Sequence, residues 1–73
     1  MAQEIIEVPL TGKVISVEVK VGDVVKEGDT ICYVESMKME NPILAPVAGK
    51  ITEIKVAVGA VVETGKLIAV IEH

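Results

Sequence analysis

The residues best suited to chemistry in this 73-residue sequence are grouped in one run, Glu35-Ser36-Met37-Lys38-Met39-Glu40. Lys38 offers a primary amine on a flexible four-carbon stem. Only a neutral amine attacks an activated acyl carbon, and an ordinary exposed lysine has a pKa near ~10.4. Neighbouring carboxylates favour the charged ammonium, so Glu35 and Glu40 do not activate the amine. A partner enzyme has to remove the proton. Two methionines flank the lysine where a surface turn would normally carry polar residues. The other reactive residue types are isolated. Cys32 lies in the apolar run Ile31-Cys32-Tyr33-Val34 and reads as a small core residue, since free cysteine is among the most buried types. His73 is the only histidine and the last residue, and it reads as a frayed end. There is no Ser-His-Asp or Cys-His set, no cluster of metal ligands and no phosphate loop. The sequence offers an amine to be modified, not a catalytic centre of its own.

The rest of the chain must position that amine. At this length it forms one domain, residues 1–73, which buries only roughly 60% of its unfolded surface and must use its apolar residues efficiently. About half the residues are apolar (51%), yet there is one Tyr and no Phe or Trp, and the set is mostly Val and Ile. Side chains branched at Cβ favour strands over helix. Eleven acidic residues stand against seven lysines, and there is no Arg. That balance supplies no basic stripe for nucleic acid. No apolar stretch approaches the ~20 residues of a membrane span, and no secretory leader is visible. A single Cys makes no internal disulfide, which suits the reducing cytoplasm.

The sequence repeats after a shift of thirty-seven residues. PLTGKVISVEVKVGDVVKEGDTICYVE (9–35) aligns with PVAGKITEIKVAVGAVVETGKLIAVIE (46–72). Pro9, Gly12, Lys13, Val19, Val21, Gly22, Val24, Val25, Gly28, Ile31 and Glu35 recur as Pro46, Gly49, Lys50, Val56, Val58, Gly59, Val61, Val62, Gly65, Ile68 and Glu72. Alternation predicts strands, with Ile15, Val17, Val19 and Val21 on one face in the first half. Thr52, Ile54, Val56 and Val58 form the matching face in the second. The glycines at 12, 22 and 28, and at 49, 59 and 65, mark turns at which the backbone can take φ > 0. Each half reads as four strands: 4–8, 12–20, 24–26 and 30–36, then 39–45, 49–57, 61–63 and 67–72. The expected fold is all-β, a flattened eight-stranded barrel or sandwich of two pseudo-twofold-related four-stranded halves.

Lys38 lies where the repeat breaks. Moved back by thirty-seven residues it falls on Met1, and moved forward it passes His73. The pseudo-twofold therefore pairs the Lys38 hairpin with the two chain ends, so the ends should meet at one pole and Lys38 should project at the other. A two-residue hairpin loop normally takes Asn-Gly or Asp-Gly because both central residues adopt φ > 0. Met37 and Lys38 occupy those places instead, and at least one of them is expected at φ > 0.

ESMKMENPILAP resembles the attachment hairpin of biotin carboxyl carrier domains, whose hallmark is Met-Lys-Met. The resemblance covers essentially the whole chain, including the G-D-x-V-x-x-G-D turn and the downstream AP-x-x-G. Ser36 departs from it, because the family usually has Ala there. The resemblance implies covalent biotin on Lys38, with Met37, Met39, Glu35 and Ser36 serving recognition by a biotin protein ligase and placement of the arm. It further implies work as a non-catalytic carrier between a biotin carboxylase and a carboxyltransferase or decarboxylase. The chain is too short for the protruding loop of some bacterial acetyl-CoA carboxylase carriers, which places it nearer the carriers of pyruvate, propionyl-CoA and decarboxylase-type systems. Two rivals make different demands. A lipoyl carrier shares the fold and the lysine hairpin but typically shows Asp-Lys-Ala at its tip. A non-catalytic assembly module would leave Lys38 unmodified.

Overall fold

The computed structural model describes residues 1–73 as eight strands and no helix. In chain order they are β1 (Gln3–Glu7), β2 (Gly12–Val17), β3 (Val24–Val25), β4 (Thr30–Ser36), β5 (Met39–Leu44), β6 (Gly49–Ile54), β7 (Val61–Val62) and β8 (Leu67–Glu72). No helix is long and apolar enough to cross a membrane. The strands form two four-stranded sheets, in the orders β1-β8-β6-β3 and β5-β4-β2-β7, and every pairing is antiparallel. A shift of thirty-seven residues carries β1 onto β5, β8 onto β4, β6 onto β2 and β3 onto β7, so the repeat exchanges one sheet for the other. The sheets are not the two sequence halves. Each takes two strands from each half, which threads the halves through one another.

The core shows why neither half could stand alone. Its fourteen residues fall into seven pairs spaced by the repeat: Ile6 with Ile43, Val8 with Ala45, Val14 with Ile51, Val25 with Val62, Ile31 with Ile68, Cys32 with Ala69, and Val34 with Ile71. Both members of a pair face one shared interior. The turns repeat as well. Gly22 donates its N–H to the Ile51 carbonyl (2.8 Å), and Gly59 donates to that of Val14 (2.7 Å). Cys32 is fully buried, and loss of hydration pushes its thiol up to about 11. It therefore stays protonated at neutral pH and acts as a small apolar core residue.

Three expectations from the sequence need correction. The first concerns the alternation in β2 and β6. The residues with no exposure are Val14 and Ile51, not Ile15 and Thr52. The register shifts between Val14 and Ser16, and again between Ile51 and Glu53. Such a bulge inserts one residue and turns every later side chain to the other face. Val17, Val19, Ile54 and Val56 then return to the core, whereas Val21 and Val58 are more than half exposed in the turns that follow. The strands also end sooner, at Val17 and Ile54.

The second correction concerns the glycines. Gly22, Gly28, Gly59 and Gly65 have φ of 91° to 99°, as turns require, but Gly12 and Gly49 open strands β2 and β6 and are not left-handed. They are needed for close approach. A Cβ on Gly49 would lie 2.5 Å from the Glu72 carbonyl oxygen and 2.6 Å from Ile71 Cγ2. One on Gly12 would strike the Glu35 carbonyl and lie 2.8 Å from Val34 Cγ1.

The chain ends are not frayed. Ala2 donates to the His73 carbonyl (2.7 Å) and His73 donates to that of Ala2 (2.8 Å). The repeat maps this pair onto Met39 and Ser36, the residues that close the Lys38 hairpin. The paired termini and the hairpin are thus equivalent positions in the two sheets.

Candidate functional site: the Lys38 hairpin

Strands β4 and β5 pair from Thr30/Leu44 to Ser36/Met39, leaving only Met37 and Lys38 to turn the chain. Both take left-handed backbone, with φ of 53° and 65°. A two-residue loop joining twisted strands favours two positive φ values, because that turn matches the strand twist. Side chains other than glycine make the conformation costly, on the order of 1–2 kcal/mol for each residue. The pairing of β4 with β5 imposes it nonetheless, and the turn leaves the Lys38 side chain exposed.

Nothing on the domain holds the amine. Lys38 is exposed and takes part in neither of the two ion pairs, Lys55–Glu53 and His73–Glu4. Met37 is 92% exposed and Met39 65%, so the tip presents two apolar side chains around one amine. Ser36 is half-buried and pairs with Met39. Below the tip, Glu40, Glu35, Lys13 and Val61 follow one another across the outer face of the sheet, all exposed. Glu35 and Glu40 are direct cross-strand neighbours, an arrangement that repels and so costs stability. The matching row of the other sheet reads Gln3, Glu72, Lys50, Val24. The second acid is therefore special to the lysine end, whereas Glu35, Lys13 and Val61 recur in the repeat.

Asn41 belongs to the hairpin too, although its type and spacing did not single it out. Its side-chain amide donates to the Val34 carbonyl (3.3 Å) and to the Met39 carbonyl (3.1 Å). The signal was available in the sequence: a polar Asn stands in the repeat position of Glu4, on the otherwise apolar inner face of β5. Two shallow surface clefts exist, one lined by Val61, Val62, Glu63, Thr64 and Lys66, the other between β1 and β5. Neither includes Met37, Lys38 or Met39. The arrangement can present one amine, and what is attached to it, to sites on other proteins or domains.

The sequence profile of the family described as "Biotin-requiring enzyme" matches residues 4–71, nearly the whole chain. The chain belongs to that family. Within it, the domain is similar to the 2-oxoglutarate carboxylase large subunit of Hydrogenobacter thermophilus, at 60% identity over 37 residues, which is 51% of this chain and 6% of that protein. It is also similar to the methylmalonyl-CoA decarboxylase subunit gamma of Veillonella parvula, at 45% identity over 42 residues, 58% of this chain and 33% of that protein. Among solved structures, the urea carboxylase of Kluyveromyces lactis superposes with a TM-score of 0.92 at 35% identity, over 99% of this chain and 6% of that one. The chain thus spans a third or less of the relatives it matches. The domain is a biotin carboxyl carrier domain like those of such carboxylases and decarboxylases, with biotin as the family's cofactor.

Proposed function

We propose that Lys38 is the biotin attachment residue and that residues 1–73 act as one biotinyl domain, carrying carboxyl groups between a carboxylase site and a carboxyltransferase or decarboxylase site. The observation that carries this reading is the two-residue hairpin that holds a single unpaired amine clear of the fold between two exposed methionines. The residues fit the group: the amine is free to form an amide, and no side chain covers it. Loading is acyl transfer by a biotin protein ligase using a biotinyl adenylate. The Nζ–acyl bond forms, the acyl–phosphate bond breaks, AMP leaves, and the ligase takes the amine proton. When bound, biotin supplies a ring nitrogen that accepts and releases the carboxyl group.

The chain's own residues contribute position. A tether keeps the arm at an effective concentration of roughly mM at each partner site. Met37 and Met39, with Glu35 and Ser36 beneath them, supply the surface that a ligase reads. The buried free thiol of Cys32 suits a reducing, cytoplasmic setting. The test is intact mass after incubation with a biotin protein ligase, biotin and ATP. One biotinyl group per chain is the expected gain. No gain, or a lipoyl gain with a lipoate ligase instead, sinks the proposal.

The methionines separate recognition from folding. Met37→Leu and Met39→Thr alter exposed positions, where changes are usually within ~0.5 kcal/mol. In a domain of this size that moves Tm by about 2–4 °C. The rate of biotin loading should fall several-fold. A collapse in Tm for either variant would instead assign that methionine to the scaffold.

A further inference from the structure

We infer that Asn41 is the positioning residue of the attachment hairpin, the side chain that keeps the Met37-Lys38 turn closed and left-handed. The inference rests on the reading of Lys38 as the attachment residue. Met37 and Lys38 sit at φ values that their side chains disfavour, so the surrounding structure has to over-determine them. The twofold-equivalent end of the molecule has the same terminal ladder pair, Ala2 with His73, and no turn to hold. In the place of Asn41 that end carries Glu4, whose carboxylate lies 3.9 Å from the His73 ring. The lysine end uses an amide in this place, and the amide bridges two strands. It donates to Val34 on β4 and to Met39, the first residue after the turn. Fixing Met39 against β4 leaves a two-residue gap, which the paired left-handed conformation spans in keeping with the strand twist. A carboxylate in the same place could not act so, because ionised it only accepts hydrogen bonds. Asn41 is half-buried, between the exposed Met39 and the buried Ile43 on the same face of β5.

The test reads the turn directly on unmodified protein. A lysine-specific protease cuts after Lys38 only when the hairpin opens, and the products 1–38 and 39–73 are identified by mass. Asn41→Leu removes both donors at similar size, and Asn41→Asp removes them at nearly unchanged shape. Thr52→Val is the control, since Thr52 makes a comparable side-chain bond to the Val70 carbonyl in the other sheet (3.4 Å). Loss of one or two net hydrogen bonds implies a rise in cutting after Lys38 of roughly tenfold. Cutting after Lys20 and Lys55 should stay within about twofold at the same temperature, because the scaffold is untouched. Biotin loading of both Asn41 variants should weaken chiefly in KM, with Thr52→Val unchanged. Unaltered cutting after Lys38 in both Asn41 variants overturns the inference. So does an equal rise at every lysine, which would make Asn41 a general stabiliser. Failure of wild-type protein to gain biotin would overturn the reading of Lys38 and leave the proteolysis result standing.

Discussion

Lys38→Arg should abolish biotin loading while leaving the domain folded. The guanidinium stays protonated at any pH a protein survives and is no nucleophile toward an acyl adenylate. Folding is untouched because Lys38 is exposed and makes no ion pair. Such a surface change moves stability by ~0.5 kcal/mol or less. The measurement is streptavidin blotting after ligase treatment, with thermal unfolding of the same sample. Exposure does not select this lysine, since Lys13, Lys20, Lys26, Lys50, Lys55 and Lys66 are exposed as well. What distinguishes Lys38 is its place in a two-residue turn at the end of a hairpin. Persistent labelling of Lys38→Arg would show that the ligase accepts an amine on a strand or an ordinary turn, and the assignment would fail.

Gly49→Ala and Gly12→Ala should each lower stability by about 1–3 kcal/mol, the cost of overpacking a site that cannot yield. The obstructing atoms are carbonyl oxygens of β4 and β8, so relief requires moving a strand. For a domain of this size the loss is roughly 5–20 °C in Tm, out of a total stability of about 4–11 kcal/mol. The twofold makes the pair informative. Gly49 sits against Glu72 beside the chain ends, and its variant should load biotin normally in the folded fraction. Gly12 sits against Glu35, three residues before Lys38, so its variant should load more slowly at equal folded fraction. Equal loading rates in the two folded variants would show that strain at Glu35 is not felt at the tip.

Much of this protein was legible in the order of its residues. The repeat identified which residues are equivalent, and the seven core pairs follow it; among buried residues only Val70, whose counterpart is the half-buried Tyr33, stands outside them. Val and Ile at alternating positions specified strands. The break in the repeat at Lys38 located the hairpin, and the short span between strands called for positive φ in at least one of Met37 and Lys38; both adopt it.

Other features depend on distances between strands that are remote in sequence. Alternation assigns side chains to faces but not strands to partners, so it could not distinguish two sheets made of the separate halves from two sheets that share them. The shared arrangement is the one in which both halves bury their apolar faces in a single core. The bulges after Val14 and Ile51 were hidden because Ile15 and Thr52 fit an unbroken alternation, and only the register with β4 and β8 shows the extra residue. Gly12 and Gly49 looked like turn glycines until a neighbouring carbonyl was found where a Cβ would stand. His73 gained order from Ala2 at the far end of the chain, and Asn41 gained its role from a carbonyl on β4. Local composition and spacing determined the elements and the reactive amine. Tertiary contact decided which strands meet, and so which side chains brace the turn that presents that amine.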